Sequence, residues 1–144
     1  MAVAVVDSNV LIDYKDTSSD TRHKRAERIV RAIDGGDLPT GRVTNYVLLE
    51  SLNWIHERQR HDIAVDLKGR LADSAGFELV HCAQKDFHRA ADLFETHEGL
   101  SFGDATVVAY MQRTGAEYLY SFDDDDFDGV QGITRLETPD NAFE

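Results

Sequence analysis

The stretch Ala2-Val3-Ala4-Val5-Val6-Asp7-Ser8-Asn9-Val10-Leu11-Ile12 decides how the rest of the chain is read. Val3–Val6 is a β-branched and alanine run without polar alternation, which suits a buried strand better than a helix. Asp7, Ser8 and Asn9 are residues that start helices, and Val10, Leu11 and Ile12 supply the apolar residues that follow. Strand, sharp turn and helix in that order open an α/β unit. The expectation is an open, mostly parallel sheet with helices on both sides, whose ligand crevice lies beyond the carboxyl ends of the strands.

The remaining sequence continues the alternation. After a polar loop at 16–20, with Asp20 or Thr21 as cap, Ala26, Ile29, Val30 and Ile33 recur at helical spacing until Gly35-Gly36 stops the pattern. Pro39–Val43 reads as a short connection or strand. Thr44 can cap a helix running from Asn45 to about Arg58, and a third helix spans about Asp62–Ser74. Phe77–His81 is an expected strand, Ala83–His97 and Ser101–Arg113 expected helices, and Glu117–Phe122 a strand. Asp123–Gly129 is expected as a loop and Ile133–Leu136 as a last short strand. No internal repeat interrupts this order, and residues 1–144 are read as a single domain, the size one core can organise.

Composition narrows the class. A 42% hydrophobic share argues against wholesale disorder, and one cysteine, Cys82, excludes an intrachain disulfide and leaves little for a zinc–thiolate site. No stretch approaches the ~20 apolar residues of a membrane span, and the apolar opening is too short for a signal segment, so a cytoplasmic protein without membrane contact is expected. The 27 acids against 15 bases give a net charge of −12, with 18 of the acids Asp and only four of the bases Lys. Such a surface repels polyanions in dilute buffer, but not near 1 M salt, where the Debye length falls to ~3 Å. An Asp-rich, Lys-poor balance of this kind resembles proteins of salt-loving organisms. A basic protein partner over an acidic face is the competing explanation.

Three acids stand in apolar company. Asp7 ends the first apolar run, Glu50 sits mid-helix in Tyr46-Val47-Leu48-Leu49-Glu50-Ser51-Leu52-Asn53-Trp54-Ile55, and Asp104 is the only charge between Leu100 and Met111. A helix apolar around most of its circumference should be buried, and a buried carboxylate must be paired, protonated or bound to a metal. Asp7 as a helix cap and Asp104 in a first helical turn each have an ordinary structural role as well. Glu50 caps nothing. Basic partners are scarce nearby, and hard oxygen donors with few His or Cys point to Mg²⁺ or Mn²⁺ rather than zinc.

Taken in order, Asp7-Ser8-Asn9-Val10-Leu11-Ile12-Asp13, Thr44…Glu50, Ser101-Phe102-Gly103-Asp104-Ala105 and Ser121-Phe122-Asp123…Asp126-Phe127 resemble the motifs of PIN-domain nucleases, most closely the toxins of VapBC-type toxin–antitoxin pairs. The resemblance spans Val3 to about Leu136. It implies an α/β/α sandwich with a parallel central sheet and a Mg²⁺- or Mn²⁺-dependent endoribonuclease site. The metal ligands it implies fall on Asp7, Glu50, Asp104 and Asp123, with Asn9 at a polar position near the metal. It also implies a homodimer and silencing by a small antitoxin whose tail enters the site. Family members usually place one residue between the acids of the last motif. Here Asp124 and Asp125 separate Asp123 from Asp126, so the fourth ligand is Asp123 or Asp124, and distance from Ser121 favours Asp123. Hydrolysis at such a site would break the P–O3′ bond and leave 5′-phosphate and 3′-hydroxyl ends.

Other classes fit less well. There is no Gly-x-Ser-x-Gly elbow and no Gly-rich phosphate loop. A dehalogenase-like phosphatase wants an acid where Asn9 stands, and a receiver domain wants paired acids before Asp7. A non-catalytic PIN-like module that binds RNA or protein, and a stand-alone RNA-processing nuclease, remain as alternatives. The six histidines are read as scattered, without a metal-ligand pair. Residues 22–31, with Arg22, Lys24, Arg25, Arg28 and Arg31 against Glu27, form the one basic segment, either a solvated helix face or a contact for RNA or antitoxin.

Overall fold

A computed structural model describes residues 3–139. Strand β1 (Val3–Val6) is followed by α1 (Ser8–Lys15), α2 (Asp20–Asp34), β2 (Thr40–Thr44), α3 (Asn45–Arg58), α4 (His61–Asp73) and β3 (Phe77–Val80). Then come α5 (Gln84–Thr96), α6 (Phe102–Thr114), β4 (Tyr118–Tyr120), the short α7 (Asp124–Phe127) and β5 (Thr134–Leu136). The five strands form one sheet in the order β3-β2-β1-β4-β5, every pair parallel, flanked by helices. The expected α/β architecture with a parallel sheet is therefore what the chain adopts.

β1 lies at the centre because it can be buried on both faces. Ala4, Val5 and Val6 are fully buried, and the register sets Val5 against Arg42 on one side and Leu119 on the other. Around it pack Val10 and Leu11 of α1, Ala26, Ile29 and Ile33 of α2, Leu67 of α4 and Val107–Met111 of α6. Gly41 of β2 must be small: a Cβ there would lie 3.1–3.2 Å from Ile33, Phe77 and Val6 side chains. No helix among the described residues is long and apolar enough to cross a membrane.

From β1 the chain moves outward to β2 and β3, then returns past β1 to build β4 and β5. The carboxyl ends of β1 and β4 thus form the topological switch point where such sheets open a crevice. Two expectations need correction here. The Asp123–Gly129 loop contains a helical turn, α7, because the Asp123 side chain accepts a hydrogen bond from the Asp126 backbone N–H and caps it. And α3 is not buried around its circumference: it sinks Val47, Ser51 and Ile55 but leaves Leu49 (57% exposed) and Glu50 outside, because its packing against α1, α4, α6 and β2 does not surround it.

Candidate metal centre

Asp7 stands immediately beyond β1, 5% exposed. Its backbone N–H still donates to the Tyr120 carbonyl at 2.9 Å, which fixes it in the switch-point crevice. One carboxylate oxygen, Oδ1, accepts from the Ser8 N–H at 2.8 Å as the cap of α1. The other, Oδ2, accepts from the Ser121 hydroxyl at 2.9 Å and from the Asn9 amide at 3.4 Å. Asn9 also bridges to the end of β4: Nδ2 donates to Ser121 Oγ at 3.1 Å, and Oδ1 accepts from the Phe122 N–H at 3.1 Å. Ser121 Oγ further accepts from the Asp123 N–H at 3.1 Å. This lattice welds the β1–α1 turn to the β4–α7 turn.

Asp104 reaches the same crevice from the first turn of α6, where it and Ser101 cap each other reciprocally. Asp123 and Asp126, one turn apart at the start of α7, come up from β4. The carboxylate oxygens of Asp104, Asp123 and Asp126 lie within 4.8 Å of one another. Asp124 and Asp125 point to solvent. Glu50 approaches from α3, accepting a short hydrogen bond from the Ser8 hydroxyl. Gly103 of α6 leaves room for Glu50 here, since a Cβ at that position would sit 3.2 Å from Glu50 Oε2 and press on the carboxylate.

The electrostatics of this cluster are unfavourable as it stands. Burial pushes the Asp7 carboxyl up to about 6 against its hydrogen bonds, and Glu50 and Asp123 add repulsion. Burial also raises Asp104 and Asp123, while Asp126 is raised chiefly by its contact with Asp104. Among the described residues, no Lys, Arg or His forms an ion pair with any of the five acids. Asp86 is the internal control. It is 2% exposed, but its Oδ1 accepts from Arg113 at 2.7 Å and Oδ2 from the Ala83 N–H. The chain supplies a cation to a buried carboxylate where it needs one for structure, and supplies none at the crevice. Several hard oxygen donors without a counter-charge fit a divalent cation of the Mg²⁺ or Mn²⁺ type.

Of the four acids singled out from sequence, Asp7, Glu50, Asp104 and Asp123 all border this crevice, with Glu50 at its exposed edge. Asp126 completes the tight trio, where the motif in the sequence points to Asp123 or Asp124. Its spacing of three from Asp123 was the available signal, hidden because a loop rather than a helical turn was expected. The basic segment of α2 is mostly neutralised locally. Arg22 meets Asp13 at 4.0 Å, Lys24 meets Asp20 at 3.2 Å and Arg31 meets Glu27 at 3.5 Å. Arg25 stacks on Phe122, 4.2 Å from its ring centre, immediately beside Asp123.

An all-parallel α/β sheet with a cluster of carboxylates at its switch point, uncompensated among the described residues, defines an α/β protein with an acid-lined crevice. The PIN domain family matches residues 4–133, and the chain belongs to that family. Similar folds are found in the VapC20 toxin of Mycobacterium tuberculosis, a sarcin-ricin loop cleaving toxin (TM-score 0.74, 23% identity, 90% of this chain and 98% of that one). They are also found in a toxin–antitoxin complex from Klebsiella pneumoniae (TM-score 0.64, 21% identity, 91% and 95%). A third is VapBC2 of Rickettsia felis bound to a promoter DNA fragment (TM-score 0.67, 11% identity, 96% and 98%). A search of curated protein sequences found no match.

Proposed function

We propose that this chain is a Mg²⁺- or Mn²⁺-dependent endoribonuclease and the toxin of a toxin–antitoxin pair. The observation that carries the reading is the trio Asp104, Asp123 and Asp126 beside buried Asp7, none of them ion-paired to a basic side chain among the described residues. Asp7, Asp104, Asp123 and Asp126 would hold the cation, with Glu50 closing the cup on the α3 side. A bound cation supplies an acidified water and offsets charge on the phosphodiester being hydrolysed. The chain's own part is placement: Asn9 and Ser121 lock the Asp7 and Asp123 turns together, and Ser8 holds Glu50 at the rim. RNA as substrate is supported by the likeness to a sarcin-ricin loop cleaving toxin, and an antitoxin partner by the likeness to toxin–antitoxin complexes.

The chain charge of −12 bears on how RNA is approached. We assign the acidity to a salt-rich working environment, so cleavage should rise with KCl toward the molar range. Arg25, over Phe122 beside the cup, and Arg28, exposed one turn further along α2 and without an ion pair among the described residues, are offered as phosphate contacts. Replacing both with Gln should reduce the salt slope of single-stranded RNA binding by about 1.4, at ~0.7 per phosphate lost. A homodimer is proposed as well, with the exposed phenylalanines Phe87, Phe94 and Phe102, which pack at 5.5 and 5.6 Å between ring centres, as apolar surface for it. Sedimentation of the wild type and of Phe94→Glu tests that arrangement.

The decisive assay is RNA cleavage with added Mn²⁺ by the wild type and by the Asp7→Asn, Asp104→Asn double variant. Loss of cleavage in the variant is expected. Undiminished cleavage overturns the assignment.

A further inference from the structure

Away from the acid cup, α3 ends and α4 begins at a tight corner. His56 lies in the last turn of α3 and His61 is the first residue of α4. The corner is fixed by backbone hydrogen bonds from the Gln59 N–H to the Ile55 carbonyl at 2.8 Å and from the Ala64 N–H to the Arg60 carbonyl at 3.3 Å. It brings the two imidazoles together with Nδ1 facing Nδ1 at 3.1 Å and ring centres 5.1 Å apart, nearly perpendicular. The sequence gives no hint of this pair: a spacing of five fits neither one helix face nor a strand.

We propose that His56 and His61 form a chelating site for a transition-metal ion of the zinc class. The 3.1 Å separation is the distance between two nitrogens bound to one metal. With metal–nitrogen bonds of about 2.05 Å, it opens an angle of about 98° at the metal, between octahedral and tetrahedral values. Imidazole nitrogen selects zinc, nickel or copper over Mg²⁺, which separates this site chemically from the oxygen-lined cup. The pair borders a groove of about 500 Å³ that Asn53, one turn before His56 on α3, also lines. Asn53 puts a carboxamide in the same groove as a candidate third donor, with water to fill the remaining positions. Lys68 is the one basic side chain lining the groove and sets an opposing charge.

The 3.1 Å contact in the free protein fits a pair in which one Nδ1–H donates to the other Nδ1. Binding requires both rings as the Nε2–H tautomer, so that the metal replaces the shared proton on the Nδ1 side and no net proton is released. The ion then bridges two helices joined by a short corner, and it stabilises the folded chain by an amount that grows with the logarithm of its concentration over its dissociation constant.

The test uses the full chain stripped with EDTA and titrated with Zn²⁺, read by long-range ¹H–¹⁵N spectra of the histidine rings and by melting temperature. Both Nδ1 resonances should shift together at one equivalent, in the wild type and in Asp104→Asn alike. His56→Ala and His61→Ala should each weaken this binding by at least about tenfold and abolish the associated rise in melting temperature. The proposal is overturned if neither ring or only one responds, or if zinc binding disappears in Asp104→Asn while the histidine variants keep it. The ring spectra of the wild type decide the matter even if a variant fails to fold. The outcome is independent of ribonuclease activity.

Discussion

Asp7→Asn is the substitution whose consequences follow most directly from the geometry. The Asp7 carboxyl titrates at about 6 in the folded chain, about two pH units above its ordinary 3.8, because burial outweighs its hydrogen bonds. A carboxyl that binds its proton more tightly when folded favours the folded state at low pH. Its contribution is fully present below pH ~3.9 and is lost as pH rises through 6. At ~1.36 kcal/mol per pH unit, ionised Asp7 costs the metal-free protein about 3 kcal/mol at pH 8. Asparagine keeps the Oδ1 acceptor for Ser8 and removes the charge without a cavity, although its amide does not replace the Ser121 contact, because Ser121 Oγ already accepts from Asn9 and from the Asp123 N–H. In EDTA at pH 8, Asp7→Asn should therefore be more stable than wild type by up to about 3 kcal/mol, or roughly 6–12 °C. The advantage should vanish at pH 4. Added Mn²⁺ should stabilise wild type and leave the variant nearly unmoved. Urea unfolding at the two pH values, at fixed salt, measures all of this. A variant no more stable than wild type at pH 8 would refute the claim that an uncompensated charge is buried there.

Three further outcomes are expected. Gly76→Ala should destabilise the fold by about 3 kcal/mol or more, because the new Cβ falls 2.0 Å from the Ile33 carbonyl oxygen, whereas Gly69→Ala, in open space on α4, should stabilise by about 0.5–1 kcal/mol; chemical denaturation compares them. Tyr120→Phe should stabilise by about 1 kcal/mol, since the Tyr120 hydroxyl is buried with no hydrogen-bond partner among the described residues; a lower melting temperature contradicts this. Burial pushes the Cys82 thiol up to about 11, so alkylation at pH 8 should run roughly two orders of magnitude slower than for free cysteine and accelerate tenfold per pH unit, as a thiol-reagent time course will show.

The central frame was legible because local and global signals agree in it. Val3–Val6 carries strand chemistry on both faces, Asp7 carries a helix cap, and together they specify a parallel sheet with a crevice at Asp7. The reading failed where tertiary placement overrides local pattern. Periodicity cannot say which side of an apolar helix faces outward, so Glu50 was expected in the interior and stands at the rim beside exposed Leu49. Four consecutive aspartates look like a solvated loop, and only the cap by Asp123 turns them into a helical turn that lifts Asp126 toward Asp104. The His56–His61 pair depends on a corner angle that no spacing rule encodes.

The place of β4 in the sheet has a consequence for synthesis. Ser121 donates to Asp7 across 114 positions of sequence, and β1 gains its second neighbour only when Tyr118–Tyr120 slides in beside it. A chain emerging from the ribosome carries Asp7 and Glu50 well before Asp104, Asp123 and Asp126 have been added. The acidic cup is therefore a late product of folding: it closes only once β4 has docked beside β1 and drawn the two turns together.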